Sequence, residues 1–239
     1  MPKTVAIHQP NFFPWLGYFD KIARADVFIF LDDVQFPKTG GGVWSNRVKL
    51  LIGGEARWVT AAIDRSYSGV RKINEMHFLH NNLWRQKMLK TIEANYKKHP
   101  FYDEAMTVFG PLIENLESNI AEYNMHAVME IASAIGIDMP KFVRASSIAS
   151  EATSNELLCE LTLAVGGDTY MCGGGADGYQ DETVFKKNSV SLNYQNFKHP
   201  QYSQHKQDDF ISGLSIIDAV MNIGWESMLD LFIANSCEL

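Results

Sequence analysis

Apolar residues fall in short continuous runs near both ends of the chain and at three- and four-residue spacing through its middle. Thr4-Val5-Ala6-Ile7-His8 is a strand-length run closed by Gln9-Pro10, and proline has no N–H to give a sheet ladder, so a first strand ends there. From Pro14, which suits a helix's first turn, Leu16, Phe19, Ile22 and Ala23 repeat with helical period over 15–25. Asp26-Val27-Phe28-Ile29-Phe30-Leu31 then reads as a strand covered on both faces and ended by Asp32-Asp33. Strand, helix and strand in so short a span predict a parallel βαβ unit.

Two β-rich runs, Arg47 to Ile52 and Ala56 to Ile63, flank Gly53-Gly54-Glu55 and predict a hairpin. The middle of the chain is helical: 83–98, then 103 to about 116 with a break or kink expected at Pro111, then 120–135 stopped by Gly136. A strand at 141–145 and a helix from Ser154 to Val165 follow. Thr169-Tyr170-Met171-Cys172 is a short strand opening into Gly173-Gly174-Gly175-Ala176-Asp177-Gly178. Beyond it come a short helix at 181–187, an alternating strand at 190–196, and helices near 215–221 and 225–234. The expected fold is α/β, Rossmann-like: a mostly parallel sheet, an antiparallel hairpin, and a helical subdomain at about 83–136 in a single domain of residues 1–239.

Composition narrows the function. Of 239 residues, 46% are apolar and 21% charged, in the range of globular domains, which excludes disorder and collagen-like repeats. A net charge of −7 gives no footprint for a nucleic-acid backbone, so nucleic acid is not expected as a partner. No run approaches the roughly 18–20 apolar residues of a membrane span. The N-terminus lacks a signal-peptide pattern, and three cysteines with no CxxC spacing suit a reducing compartment, so the expected location is cytoplasmic.

Ligands of open α/β sheets bind beyond the carboxyl ends of the strands. That rule singles out His8 and Gln9 after the first strand, and Asp32, with Gln35, after the second. His8 can exchange a proton near neutral pH, and a strand-ending carboxylate can act as base or bind an ammonium. Phe12, Phe13 and Trp15 read as packing, although in a carbohydrate-binding module Trp15, Tyr18 and Tyr179 would stack on sugar faces. Asn46-Arg47 follows a glycine stretch, and the arginine fork suits a phosphate or carboxylate. In the glycine loop, the backbone amides of Gly173 and Gly174 could approach an anion, and Asp177 and Tyr179 could touch a ligand. The loop matches neither GxxxxGK[ST] nor GxGxxG. Cys172 could be a nucleophile if a cation lowers its pKa. The C-terminal run offers Gln195, His199 and Tyr202, while Ser215 to Asp218 reads as a helix cap in the manner of a capping box. No set of residues has metal-ligand spacing, so no metal is expected.

Taken together, His8-Gln9-Pro10, Pro14-Trp15-Leu16-Gly17-Tyr18-Phe19, Asp32-Asp33-Val34-Gln35-Phe36, Asn46-Arg47, His199-Pro200 and Ser215 to Gly224 resemble the WbqC-like family across essentially the whole chain. The resemblance implies a bacterial protein of O-antigen or other surface-polysaccharide biosynthesis. The implied activity is that of an N-acyltransferase or aminoacyltransferase, moving an acyl or aminoacyl group, glycyl among them, onto the amine of an amino sugar. Cys172 stands where serine is more usual in that family, which weakens the argument for a nucleophile there. The layout around Pro14 to Ile22 is also similar to nucleotidylyltransferases with an HxGH motif, but Trp15 and Tyr18 occupy the histidine positions.

On this reading His8 or Asp32 is the base, with His199 as a second candidate. Gly173 to Gly175, Gln9 and Asn46 are candidate oxyanion donors, and the donor is a thioester, carried for example by an acyl or aminoacyl carrier protein. No cofactor is required. Two alternatives are ATP-dependent adenylate formation, with magnesium, around His8, Arg47 and the glycine loop, and a non-catalytic carbohydrate- or carrier-binding module.

Overall fold

The computed structural model describes residues 2–37, 44–173 and 180–236. The chain divides into two compact units, one of Met1–Gln9, Gly17–Val34 and Asp138–Lys198, the other of Pro10–Leu16, Gln35–Ile137 and His199–Leu239.

The first unit is a five-stranded sheet of β1 (Thr4–His8), β2 (Val27–Phe30), β5 (Lys141–Arg144), β6 (Thr169–Cys172) and β7 (Ser191–Tyr194). Every pairing is parallel, in the order β5-β2-β1-β6-β7. The α/β expectation is thus borne out. Counted along this unit alone, the order is third, second, first, fourth, fifth, the arrangement of doubly wound nucleotide-binding sheets, and its direction reverses between β1 and β6.

Alternation along the strands decides the two faces. Val5, Ile7, Val27, Ile29, Tyr170 and Cys172 point to one side, where they pack with Cys159 and Leu161 of α5 (Ser154–Ala164) and Phe185 of α6 (Glu182–Lys187). The other face carries Ala6 beside Phe28 and His8 beside Phe30. Helix α1 (Leu16–Ala23) covers it, with Tyr18, Phe19 and Ile22 each at most 1% exposed. Tyr18 lies 5.5 Å from Phe28, centroid to centroid.

The second unit holds the hairpin β3 (Arg47–Ile52) and β4 (Glu55–Thr60), turning at Gly53 and Gly54 with φ of +61° and +82°. Two successive positive φ angles are what a two-residue primed turn needs, and glycine adopts them without strain. Three helices fill the segment expected to be helical: α2 (Leu83–Tyr96), α3 (Tyr102–Glu114) and α4 (Ile120–Ile135). Asn119 caps α4 by accepting from Glu122 N, and Gly136 ends it in the left-handed conformation. The expected break at Pro111 does not occur: α3 runs through this exposed position to Glu114, held by the burial of Phe109, Leu112 and Ile113 on its other side. Phe12 and Phe13 are buried in a cluster with Phe78, Trp84, Phe109 and Tyr123. Burying such rings contributes on the order of 1.5–3 kcal/mol apiece. Helices α7 (Ile216–Ile223) and α8 (Glu226–Ser236) complete the unit. Among the described residues no helix is long and apolar enough to cross a membrane.

Candidate active site

The reversal of strand order places the ends of β1 and β6 side by side in the first unit, and three groups gather there: His8, Lys21 and Gly173. Lys21 was not singled out from the sequence, where it reads as an ordinary polar position on an amphipathic helix. It is only 4% exposed. A Cβ added to Gly173 would stand 3.4 Å from its Nζ. No hydrogen bond joins Nζ to another described residue. Burial lowers the Lys21 pKa to about 8, against the upward pull of Cys172 and Asp20.

His8 ends β1 and is half-buried, with Nδ1 3.1 Å from the Gln9 carbonyl oxygen. A carbonyl only accepts, so Nδ1 carries the proton. Burial first, and the Lys21 charge second, lower the His8 pKa to about 3. The imidazole is therefore neutral at physiological pH, a hydrogen-bonding group more than a strong base. Tyr18 holds it from below: their rings meet edge-on at 4.8 Å, and the Tyr18 hydroxyl donates to the Gln9 carbonyl at 2.9 Å. With its ring buried at 1% exposure, Tyr18 has no face left for a sugar, which corrects the stacking expectation.

Helix α1 is held in register by the segment after β7. Gln195 Nε2 donates to the Gly17 carbonyl and to Asp20 Oδ2, both at 2.7 Å. Arg24 donates to the Gln195 carbonyl at 2.7 Å and pairs with Asp20 at 3.4 Å. Gln195, expected to bind substrate, is 4% exposed and instead fixes the helix that carries Lys21.

Two further catalytic candidates of this unit have other occupations. Asp32 is 2% exposed and accepts from Ser146 N at 3.0 Å and Ser146 Oγ at 2.7 Å. Both oxygens are engaged, so this carboxylate ties the end of β2 to the turn after β5. The Cys172 thiol is fully buried in the core face opposite His8 and lies 3.6 Å from the Asn193 carbonyl. A thiol packed there is poorly placed to attack a substrate. Gly173 is half-buried at the site. Gly174, Asp177 and Tyr179 lie outside the described residues.

The remaining candidates belong to the second unit. His199 Nε2 accepts from Gly213 N at 3.0 Å, so the lone pair needed for a base is occupied, and burial lowers its pKa. Asn46 is 5% exposed and donates to the Ala61 carbonyl at 3.0 Å, a bond between neighbouring strand ends. Arg47 lies over the Trp58 ring at 4.2 Å, and Trp58 continues through Trp44 to the half-buried Trp15. Gln35 is exposed and bridges to Lys72. Tyr202 donates to Asp218 Oδ2 at 2.7 Å.

Asp218 departs from the capping reading. Ser215 caps α7 by accepting from Ile217 N, but the Asp218 side chain turns inward to take hydrogen bonds from Tyr96, Tyr202 and Gln204. Burial raises its pKa, and the three donors oppose that rise. No group of three or more metal-ligating side chains occurs among the described residues.

A doubly wound parallel sheet flanked by helices defines a class, the α/β proteins, and the buried lysine and neutral histidine at its switch point are its candidate site. The chain belongs to the WbqC-like protein family, whose model matches residues 9–230. It is also similar to the uncharacterized protein Rv1507c of Mycobacterium tuberculosis (strain ATCC 25618 / H37Rv), 28% identical over 228 residues that cover 94% of this chain and 96% of the relative. No solved structure matches.

Proposed function

We propose that the protein is an acyl- or aminoacyltransferase that joins a thioester-activated group to the amine of an amino sugar, with the chemistry at His8 and Lys21. The observation that carries this reading is Lys21, buried at the switch point with a pKa lowered to about 8. A proton-transfer group works best when its pKa lies near the working pH, and an attacking amine must lose a proton. His8, at the end of β1 beside Lys21, orients the acceptor amine. The amine nitrogen bonds to the thioester carbonyl carbon as the carbon–sulfur bond breaks. Neutral Lys21 takes the amine proton and passes it to the departing thiolate. The Gly173 amide is the nearest candidate donor to the transient oxyanion. Cys172 forms no covalent intermediate in this scheme. The O-antigen association implied by the family resemblance supports an amino sugar as acceptor.

The sheet's strand order supports a second reading, nucleotide binding with adenylate formation from ATP and magnesium. One experiment separates the two. The protein is incubated with a glycyl thioester, free or on a carrier protein, and a nucleotide-linked amino sugar; amide is followed by mass spectrometry and thiol by colorimetry. The expected result is amide and thiol in equal amounts, at a rate that rises with pH through an inflection near 8. In Cys172→Ser the rate is retained. Pyrophosphate release from ATP without thioester turnover establishes the second reading instead, and an acyl group trapped on Cys172 overturns direct attack.

A further inference from the structure

The second unit contains a groove of about 820 Å³ between the β3–β4 turn, the last turns of α2 and the segment 205–207. Its charge is opposite in sign to that of the chain. Although the protein carries −7 overall, Lys90, Lys97, Lys98 and Lys206 line this one surface. Its single carboxylate, Glu93, is bound by Lys97 at 2.7 Å. Lys90, Lys98 and Lys206 form no ion pair with a described residue.

An independent observation lies deeper in the groove. His99 is 7% exposed, and neither of its ring nitrogens has a hydrogen-bond partner among the described residues. His205, 4.8 Å away ring to ring, has an unpartnered Nε2 as well. Buried polar atoms are nearly always satisfied, and an unsatisfied set lining a cavity marks a place for a ligand's polar atoms. The Tyr96 ring packs against His99 at 4.7 Å, tilted by 39°.

We infer that this groove binds a phosphorylated small molecule, its phosphoryl oxygens held by the lysine ammonium groups and by N–H donors of His99 and His205. Clustered point cations suit a group carrying more than one negative charge, and lysine is a common phosphate ligand. The volume matches a nucleotide-sized ligand, within the range of roughly 300–1,000 Å³ typical of small-molecule pockets. The recess around His99 favours a small molecule over the surface of an acidic protein. This inference is independent of acyl transfer and of Lys21.

The test is calorimetric titration of the whole protein at low salt with inorganic phosphate, pyrophosphate, uridine diphosphate and uridine. Saturable binding of pyrophosphate and uridine diphosphate, with none of uridine, is expected. The exposed-residue double variant Lys90→Ala/Lys98→Ala, checked for folding by circular dichroism, weakens binding by about tenfold or more. His99→Phe, which keeps a ring against Tyr96, weakens it without loss of the fold, and Lys21→Met leaves it unchanged. Pyrophosphate and uridine diphosphate binding with equal affinity places the recognition in the phosphates; much tighter uridine diphosphate binding places it in a nucleotide. No saturable binding of any phosphate, binding indifferent to the lysine and His99 substitutions, or binding abolished by Lys21→Met overturns the inference.

Discussion

The Lys21 ammonium stands 3.4 Å from where Gly173 would carry a side chain, so the missing Cβ of one residue defines the room available to the other. Gly173→Ala places a methyl group at van der Waals distance from the lysine's flexible end, where it takes up the room beside the ammonium, and meets no backbone of the described residues. The expected outcome is a melting temperature close to the parent's, with kcat/KM for amide formation lower by about tenfold or more, because small misplacements of a reacting group are costly. Calorimetry and steady-state kinetics on one preparation check both.

Lys21→Met separates catalysis from stability. A buried ammonium with no hydrogen bond to a described residue loses hydration and receives little in return. Methionine has similar length and no charge. Stability equal to or above the parent's is expected, together with loss of turnover by about a hundredfold or more, the scale of general acid–base catalysis. Undiminished turnover in this variant would remove Lys21 from the mechanism.

His8 gives the first unit a specific sensitivity to acid. Its pKa is lowered from 6.5 to about 3 in the folded chain, by burial first and the Lys21 charge second. Between those values the unfolded chain binds a proton that the folded one does not, so stability falls as pH falls. The contribution is fully present above pH 6.5 and lost progressively towards pH 3. In His8→Gln, denaturant midpoints measured from pH 7 to 4 should decline less steeply than in the parent.

Asp32 is expected to act on stability rather than on chemistry. Removing it in Asp32→Ala leaves Ser146 N and Oγ without their partner, at a cost of about 1–3 kcal/mol. Urea unfolding should show that loss while kcat, measured well below the melting temperature, changes little. A collapse of kcat with unchanged stability would return this carboxylate to the catalytic step.

In the second unit, Tyr202→Phe deletes one of three donors to a buried carboxylate. A loss of about 1–3 kcal/mol is expected, since a buried carboxyl group is left less well satisfied. Hydrogen bonding to Tyr202 favours the ionised form of Asp218, so the variant's carboxyl titrates at higher pH than the parent's. Carbon-detected NMR of the Asp218 carboxyl reads that shift directly.

Much of the fold was legible where local chemistry dictates it. Gly53-Gly54 specifies a hairpin turn whatever surrounds it, and Asn119 and Gly136 mark the ends of α4 by their own side-chain and backbone preferences. β6 follows from the short run Thr169-Tyr170-Met171-Cys172 ahead of glycines. Pro111 misleads because the burial of Phe109, Leu112 and Ile113 around it holds the helix together, and single-residue preference does not convey packing.

The site was legible only in part. Sequence alone determined that His8 ends a strand and that Tyr18 and Lys21 share a short helix beside it, because alternation and helical period are properties of neighbouring residues. Only the tertiary structure decided that β6 lies against β1, pairing Tyr170 with Val5, and so which of many polar side chains would be deprived of water. Asp32 and Asp33 look alike in the chain; Ser146, more than a hundred residues later, distinguishes them. Lys21 and the uncoupled lysines of the groove are likewise the same residue type, yet one is buried and the others are solvated. The difference arises because a pKa and a hydrogen-bond partner are set by atoms a few ångströms away through space, and those atoms come from distant parts of the chain.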